Sequence, residues 1–125
     1  MAHGTFIWNE LMTADVEKAK SFYGKTLGWT IEEMKMPSGS YWIAKVGGTP
    51  VAGMMNMTGI VPPGTPPHWF AYIDVDDVDR RAKDVAANGG KVQREPFDIP
   101  DVGHIAIVAD ATGAMVGLMT PTPRR

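Results

Sequence analysis

The sequence predicts an α+β fold of two βαβββ modules, and two observations carry that expectation. First, the stretch WNELMTADVEKAKSFYGKTLG (Trp8 to Gly28) is answered by HWFAYIDVDDVDRRAKDVAANGG (His68 to Gly90). A shift of 62 positions pairs Asp15 with Asp77, Val16 with Val78, Glu17 with Asp79, Lys18 with Arg80 and Gly28 with Gly90. Second, each copy runs from a strand-like segment through an acid-Val-acid start signal into an amphipathic helix that stops at glycine. Two copies are fewer than the three or more stacked units that a solenoid needs, so a closed pair of modules is the better reading.

In chain order, Phe6 to Met12 alternates as a strand. Asp15 then caps a helix by accepting from backbone amides, and Glu17 complements its dipole. Val16, Ala19, Tyr23 and Leu27 mark the apolar helix face, with Phe22 beside it, and Gly28 supplies the left-handed stop. Strands are expected over Trp29 to Met36, Tyr41 to Val46 and Val51 to Met57, separated by turns at PSGS (Pro37 to Ser40) and Gly47 to Thr49. Residues 58–67, TGIVPPGTPP, contain four prolines and read as a linker between module 1 (about 4–57) and module 2 (about 68–121) of a single domain spanning 1–125. In the second module, Trp69, Ala71, Ile73 and Val75 form the set expected under a helix, and His68, Phe70 and Tyr72 the opposite set. Asp77 caps a helix burying Val78, Ala82, Val85 and Ala86, closed by Gly89 and Gly90. Lys91 to Glu95 reads as a strand, Pro96 to Gly103 as a loop, and His104 to Ala109 and Met115 to Thr120 as strands flanking the DATG turn. The tail PTPRR is expected to fray.

Composition narrows the functional classes. The 125 residues are 44% hydrophobic and 21% charged, and 12 basic against 14 acidic residues leave a net charge of −2, with no basic excess for a nucleic-acid partner. No apolar run reaches the roughly 18 residues of a membrane span, and the N-terminus lacks the basic and apolar regions of a signal peptide, so a cytoplasmic protein is expected. Cysteine is absent, which excludes disulfides and thiolate ligands. Nine methionines suit either an ordinary core or an adaptable cavity wall. No GxSxG elbow, phosphate-binding glycine loop or calcium-loop spacing is present, and Asp76, Asp77 and Asp79 read as helix-start residues.

The ordered set DVEKAKSFYGKTLGW, a Pro-rich linker, DVDRRAKDVAANGGKV and a late DATGAMVGL resembles the vicinal oxygen chelate superfamily, also called the glyoxalase and bleomycin-resistance family. That resemblance implies an open, curved mixed β-sheet, a partial barrel with helices outside and a ligand site on its concave face. It also implies a homodimer. Metal-dependent members present ligands on the first and last strand of each module, and those positions fall on Trp8, near Gly53, on Phe70 and on Gly117. None of these side chains can coordinate a transition metal, which needs imidazole, carboxylate or thiolate donors at about 2.0–2.3 Å. No metal and no cofactor is therefore expected.

The remaining candidates are polar and aromatic residues of the expected concave face. Strand parity places Phe6, Trp8, Glu10 and Met12 there, with Ile7 and Leu11 toward the helix. Phe6, Trp8, Met12, Met55, Phe70, Tyr72 and Met119 are expected to line an apolar cavity, with His104 at its rim. Glu10 and His68 are the candidate acid-base or orienting groups. The alternatives are an ion-paired Glu10, a strand-end His68 and an exposed loop His104. The expected function is metal-independent binding or sequestration of a small apolar or aromatic molecule. Its rivals are a lyase, isomerase or dioxygenase-type enzyme using Glu10 and His68, with or without an unorthodox metal site, and a structural subunit whose pocket has filled.

Overall fold

The computed structural model describes residues 2–36, 39–99 and 102–122. Its elements run β1 (Phe6–Thr13), α1 (Val16–Leu27), β2 (Thr30–Met36), β3 (Gly39–Val46), β4 (Thr49–Asn56), β5 (His68–Asp74), α2 (Val78–Ala87), β6 (Lys91–Ile99), β7 (Gly103–Ala109) and β8 (Met115–Pro121). The chain is α+β, with the βαβββ order present twice. Residues 8–70 form one compact unit, and residues 1–7 with 71–125 form the other, so the division falls inside β1 and β5 rather than in the Pro-rich segment.

In the first unit β1 runs parallel to β4, while β4 and β3, and β3 and β2, are antiparallel. Helix α1 begins where Asp15 accepts a 3.0 Å hydrogen bond from the Lys18 amide and ends at Gly28, whose φ of 74° is left-handed. Its buried Val16 joins Leu11, Ala44, Ala52 and Met54 in the core, with Ala19, Tyr23, Trp29, Ile31 and Trp42 packed around them. Leu27 and Phe22 are 59% and 56% exposed, contrary to the buried helix face expected for Leu27. Leu27 closes the final turn, a full turn beyond Tyr23, the last helix residue in that core. Trp69, expected beneath a helix, packs on α1: its ring meets Tyr23 at 5.7 Å and Trp29 at 6.2 Å, and its Nε1–H donates to the Tyr23 hydroxyl at 3.2 Å. Tyr23 in turn stacks on Trp29 at 5.0 Å. The Pro-rich segment starts with the Met57 amide donating to the Thr13 carbonyl at 3.0 Å and turns at once, Ile60 donating back to Met57.

In the second unit Gly4 donates to the Asp74 carbonyl at 2.7 Å and Asp74 to the Thr5 carbonyl at 2.8 Å, which ties residues 4–5 to the end of β5. Strand β5 is parallel to β8, and β8 with β7, and β7 with β6, are antiparallel. Asp77 caps α2 by accepting from the Arg80 amide at 3.2 Å. Val75, Val78, Ala106, Val108 and Leu118 form the core, with Ile73, Val85, Val92 and Val116 around it. Ala86, expected to be buried, is exposed, because the helix turns Val85 rather than Ala86 toward the sheet. Arg81 holds Asp76 by two 2.9 Å bonds; this pairing brings the Asp76 carboxyl down to about 2. In the DATG turn, Asp110 accepts from the Thr112 and Ala114 amides at 2.8 and 3.0 Å.

One strand is longer than its sequence suggests. The segment expected to be a loop from Pro96 continues β6 to Ile99, with register irregularities between Val92 and Arg94 and between Arg94 and Phe97. Strand β6 ends its sheet, where proline's missing amide is tolerated next to a bulge. The expected turn at Pro37 and Ser38, part of the loop at Pro100 and Asp101, and the tail from Pro123 lie outside the described residues.

Two glycines give opposite expectations. A Cβ on Gly90 would stand 2.7 Å from both the Ala109 carbonyl oxygen and Val85 Cγ1, whereas one on helical Gly24 meets nothing closer than the Trp29 carbonyl at 3.8 Å. Gly90→Ala should lower stability by about 1–3 kcal/mol through overpacking, and Gly24→Ala should raise it by about 0.5–1 kcal/mol through helix propensity. Urea unfolding of the two variants measures both signs.

Candidate functional site

The register of β1 on β4 places Glu10 opposite Gly53 and Met12 opposite Met55. Leu11 and Met54 belong to the core under α1, so the two-residue period of a strand puts Trp8, Glu10, Met12, Gly53 and Met55 on the other face. Ile43 on β3 is paired with Gly53, and Tyr41, two residues before it, shares that face.

The Tyr41 side chain reaches across β4. A Cβ built on Gly53 would lie 1.7 Å from the Tyr41 hydroxyl oxygen, so the phenol occupies the space a side chain at position 53 would need. From β1, Trp8 Nε1–H donates to the same oxygen at 2.8 Å. Glu10 is buried, with 5% of its surface exposed. Burial first and the Glu10 carboxylate second push the Tyr41 phenol well above its ordinary 10.0, while the Trp8 hydrogen bond pulls it the other way.

Trp8 and Gly53 stand where the family resemblance places two metal ligands, and the phenol between them fills that place. An indole, a glycine and a neutral phenol do not fit a divalent transition metal. Among the described residues, no group of three or more His, Asp or Glu side chains is arranged to hold a metal ion.

On β5, Trp69 packs on the α1 side, which leaves His68 and Phe70 on the opposite face of the strand. His68 Nδ1 lies 2.9 Å from the Pro66 carbonyl; a carbonyl only accepts, so Nδ1 carries the proton. In the second unit Tyr72 is opposite Gly117 and Asp74 opposite Met119. Ile73 and Leu118 pack in the α2 core, so Tyr72, Asp74 and Met119, all buried, occupy the face away from that helix. Phe6, also in this unit, is 61% exposed.

His104 takes a different position from the cavity rim expected for it. Its strand neighbours Ala106 and Val108 lie under α2, and His104 shares their side. Nδ1 meets Asp98 and Nε2 meets Asp79, each at 2.9 Å. Carboxylates accept at both nitrogens, so the two bonds form together only with the imidazolium. His104 thus joins α2 to β6. Two shallow clefts flank this clasp and share Asp79: one of about 250 Å³ between α2 and β6, lined by Ala82, Val92 and Pro96 among others, and one of about 190 Å³ beside His104 and Thr120.

Tyr41 and Asp74 were not among the residues expected from the sequence. Tyr41 carried a usable signal, since alternation along β3 separates it from Trp42 and Ala44, but its partner Gly53 follows only from the β3–β4 register. Asp74 follows Phe70 and Tyr72 on one strand face and was legible as a buried carboxylate.

The sequence profile of the Glyoxalase/Bleomycin resistance protein/Dioxygenase superfamily matches residues 5–118. A candidate glyoxylase, CFP32, of Mycobacterium tuberculosis is 41% identical over 123 residues, covering 98% of this chain and 46% of that protein. The anthracycline biosynthesis protein DnrV of Streptomyces peucetius is 34% identical over 113 residues, 89% of this chain and 39% of its own length. The chain therefore spans less than half the length of either relative. In fold, methylmalonyl-CoA epimerase of Mycobacterium tuberculosis superposes with a TM-score of 0.71 at 16% identity, covering 99% of this chain and 94% of that one. A mutant 4-hydroxymandelate synthase of Streptomyces coelicolor gives 0.69 at 15% identity, over 98% of this chain and 40% of that one.

The raised Tyr41 phenol has a consequence at alkaline pH. The folded chain keeps this proton after the unfolded chain has begun to lose it near 10.0, so stability present below that pH falls as pH rises beyond it. The ultraviolet titration of Tyr41→Phe should lack one phenol that ionises well above 10.0 in the wild-type chain, and the substitution should flatten the alkaline fall in stability.

Proposed function

Because the chain belongs to the Glyoxalase/Bleomycin resistance protein/Dioxygenase superfamily, we propose that it acts as a metal-independent binder of a small apolar or aromatic molecule, on the face that carries Trp8, Glu10, Tyr41 and Met55. One observation supports this most: the Tyr41 phenol, hydrogen-bonded to Trp8, occupies the space over Gly53. A face that presents an indole, a phenol and methionines rather than ligating donors favours stacking and apolar contact over Lewis-acid chemistry. His68 and Phe70, on the face of β5 opposite Trp69, belong to the proposed ligand-binding set of this unit; Tyr72 and Met119 are the matching ligand-binding candidates of the second unit, taken by itself. Phe6 is a candidate of that second unit through strand alternation alone, and His104, bonded to Asp98 and Asp79, is not counted there. The homodimer remains part of the proposal, on the general prevalence of two-fold symmetric oligomers.

A second reading rests on Glu10, a buried carboxylate beside a phenol, which suits a general base in proton transfer. Both readings dispense with a metal and differ in turnover. The tests are elemental analysis of the purified protein and equilibrium dialysis against naphthalene with and without EDTA. The expected result is no stoichiometric zinc, iron, manganese or nickel, and naphthalene binding that the chelator leaves unchanged. One metal per chain, or binding abolished by EDTA, contradicts the proposal. Glu10→Gln should leave naphthalene affinity within about 2-fold for a binder, whereas a general base would lose turnover by roughly 100-fold or more.

A further inference from the structure

The Tyr41 hydroxyl is both acceptor and donor. Its oxygen accepts the Trp8 indole N–H at 2.8 Å, and its own O–H has no acceptor among the described residues. The group is held in place from two sides. Trp8 fixes the oxygen from β1, and the absence of a side chain at Gly53 lets the phenol lie against β4. A half-buried donor fixed in this way is set to receive an acceptor atom brought by a ligand.

Electrostatics restrict what that acceptor can be. The buried Glu10 carboxylate sits on the same face, opposite Gly53 in register, and is close enough to act on the Tyr41 phenol. A carboxylate or phosphate ligand would have to give up its hydration beside a buried acidic residue, at low local dielectric. A neutral carbonyl oxygen accepts the hydrogen bond without that cost. Trp8 is half-buried, and its ring plane is set by the hydrogen bond to Tyr41, which favours a flat partner.

We infer that this face selects neutral, planar molecules carrying a ketone or quinone-type carbonyl, whose oxygen accepts the Tyr41 O–H. The inference rests on the binding reading above and names the ligand chemistry of the same face. Tyr41 is its specificity-determining residue, with the Trp8 indole as the group that positions it.

Three probes of matched size separate the possibilities: 2-acetylnaphthalene, 2-ethylnaphthalene and 2-naphthoate, a ketone, its hydrocarbon counterpart and an anion. Equilibrium dialysis of the wild-type chain should show the ketone bound about 5–10-fold more tightly than the hydrocarbon, the ratio expected of one well-placed hydrogen bond, and the anion most weakly. Tyr41→Phe should abolish the preference for the ketone, bringing the ratio of ketone to hydrocarbon affinity to about 1 whatever the change in absolute affinity, a contrast that a folding defect would not produce. Gly53→Ala, which places a methyl where the hydroxyl stands, should lose the same preference. Equal binding of ketone and hydrocarbon, tightest binding of naphthoate, or an equal loss of both neutral probes in Tyr41→Phe overturns the carbonyl assignment and leaves apolar binding standing. Binding of none of the three overturns both.

Discussion

The parallel pairing of β1 with β4 sets the chemistry of the first unit, because it brings Glu10 level with a residue that has no side chain. Everything else on that face follows from the space at Gly53. The antiparallel partner β3 carries Tyr41 into it, and β1 presents Trp8 at hydrogen-bonding distance from the phenol oxygen. A larger residue at position 53 would displace the phenol and leave the Trp8 N–H without its partner. The net worth of that hydrogen bond is about 1 kcal/mol. Its value to the site is geometric, since it fixes the direction in which the remaining O–H points.

The two modules share architecture and differ in polarity. The 62-residue shift maps Trp8 onto Phe70, Glu10 onto Tyr72 and Met12 onto Asp74. Each face therefore keeps one buried carboxylate, at Glu10 in one copy and at Asp74 in the other, two residues apart along equivalent strands. The helix starts remained alike, with Asp15 and Asp77 each capping through the amide three residues on. Capping has one geometric solution, which both copies retain, whereas the strand faces have diverged. The second copy also adds the Asp98–His104–Asp79 clasp, for which the first unit has no counterpart among the described residues.

The features legible in the sequence are those set by local rules. Helix starts were readable from Asp15 and Asp77, the left-handed stop from Gly28, and the strand faces of β1 and β5 from alternation around Leu11 and Trp69. Features set by long-range register were not. Tyr41 could be placed on a face but not over Gly53, because that contact depends on which residue of β4 lies beside β3. His104 looked like a rim residue since its side of β7 is decided by pairing with β8 and by α2 above it. Pro96 suggested a loop because proline breaks central strands, but β6 is an end strand that tolerates it. Leu27 fits a helical period but lies a turn beyond the last helix residue in its core, and Ala86 fits one but stands beside Val85, the residue that α2 turns to its sheet.

The central claim is that Tyr41 and Trp8 close the space over Gly53, and proton exchange of the Trp8 indole tests it most directly. In nuclear magnetic resonance spectra assigned with Trp8→Phe, the Trp8 Nε1–H should exchange slowly with solvent in the wild-type chain and much faster in Tyr41→Phe, where its acceptor is gone. An indole proton that exchanges at the rate of a solvent-exposed tryptophan, and at the same rate in both proteins, would contradict the account.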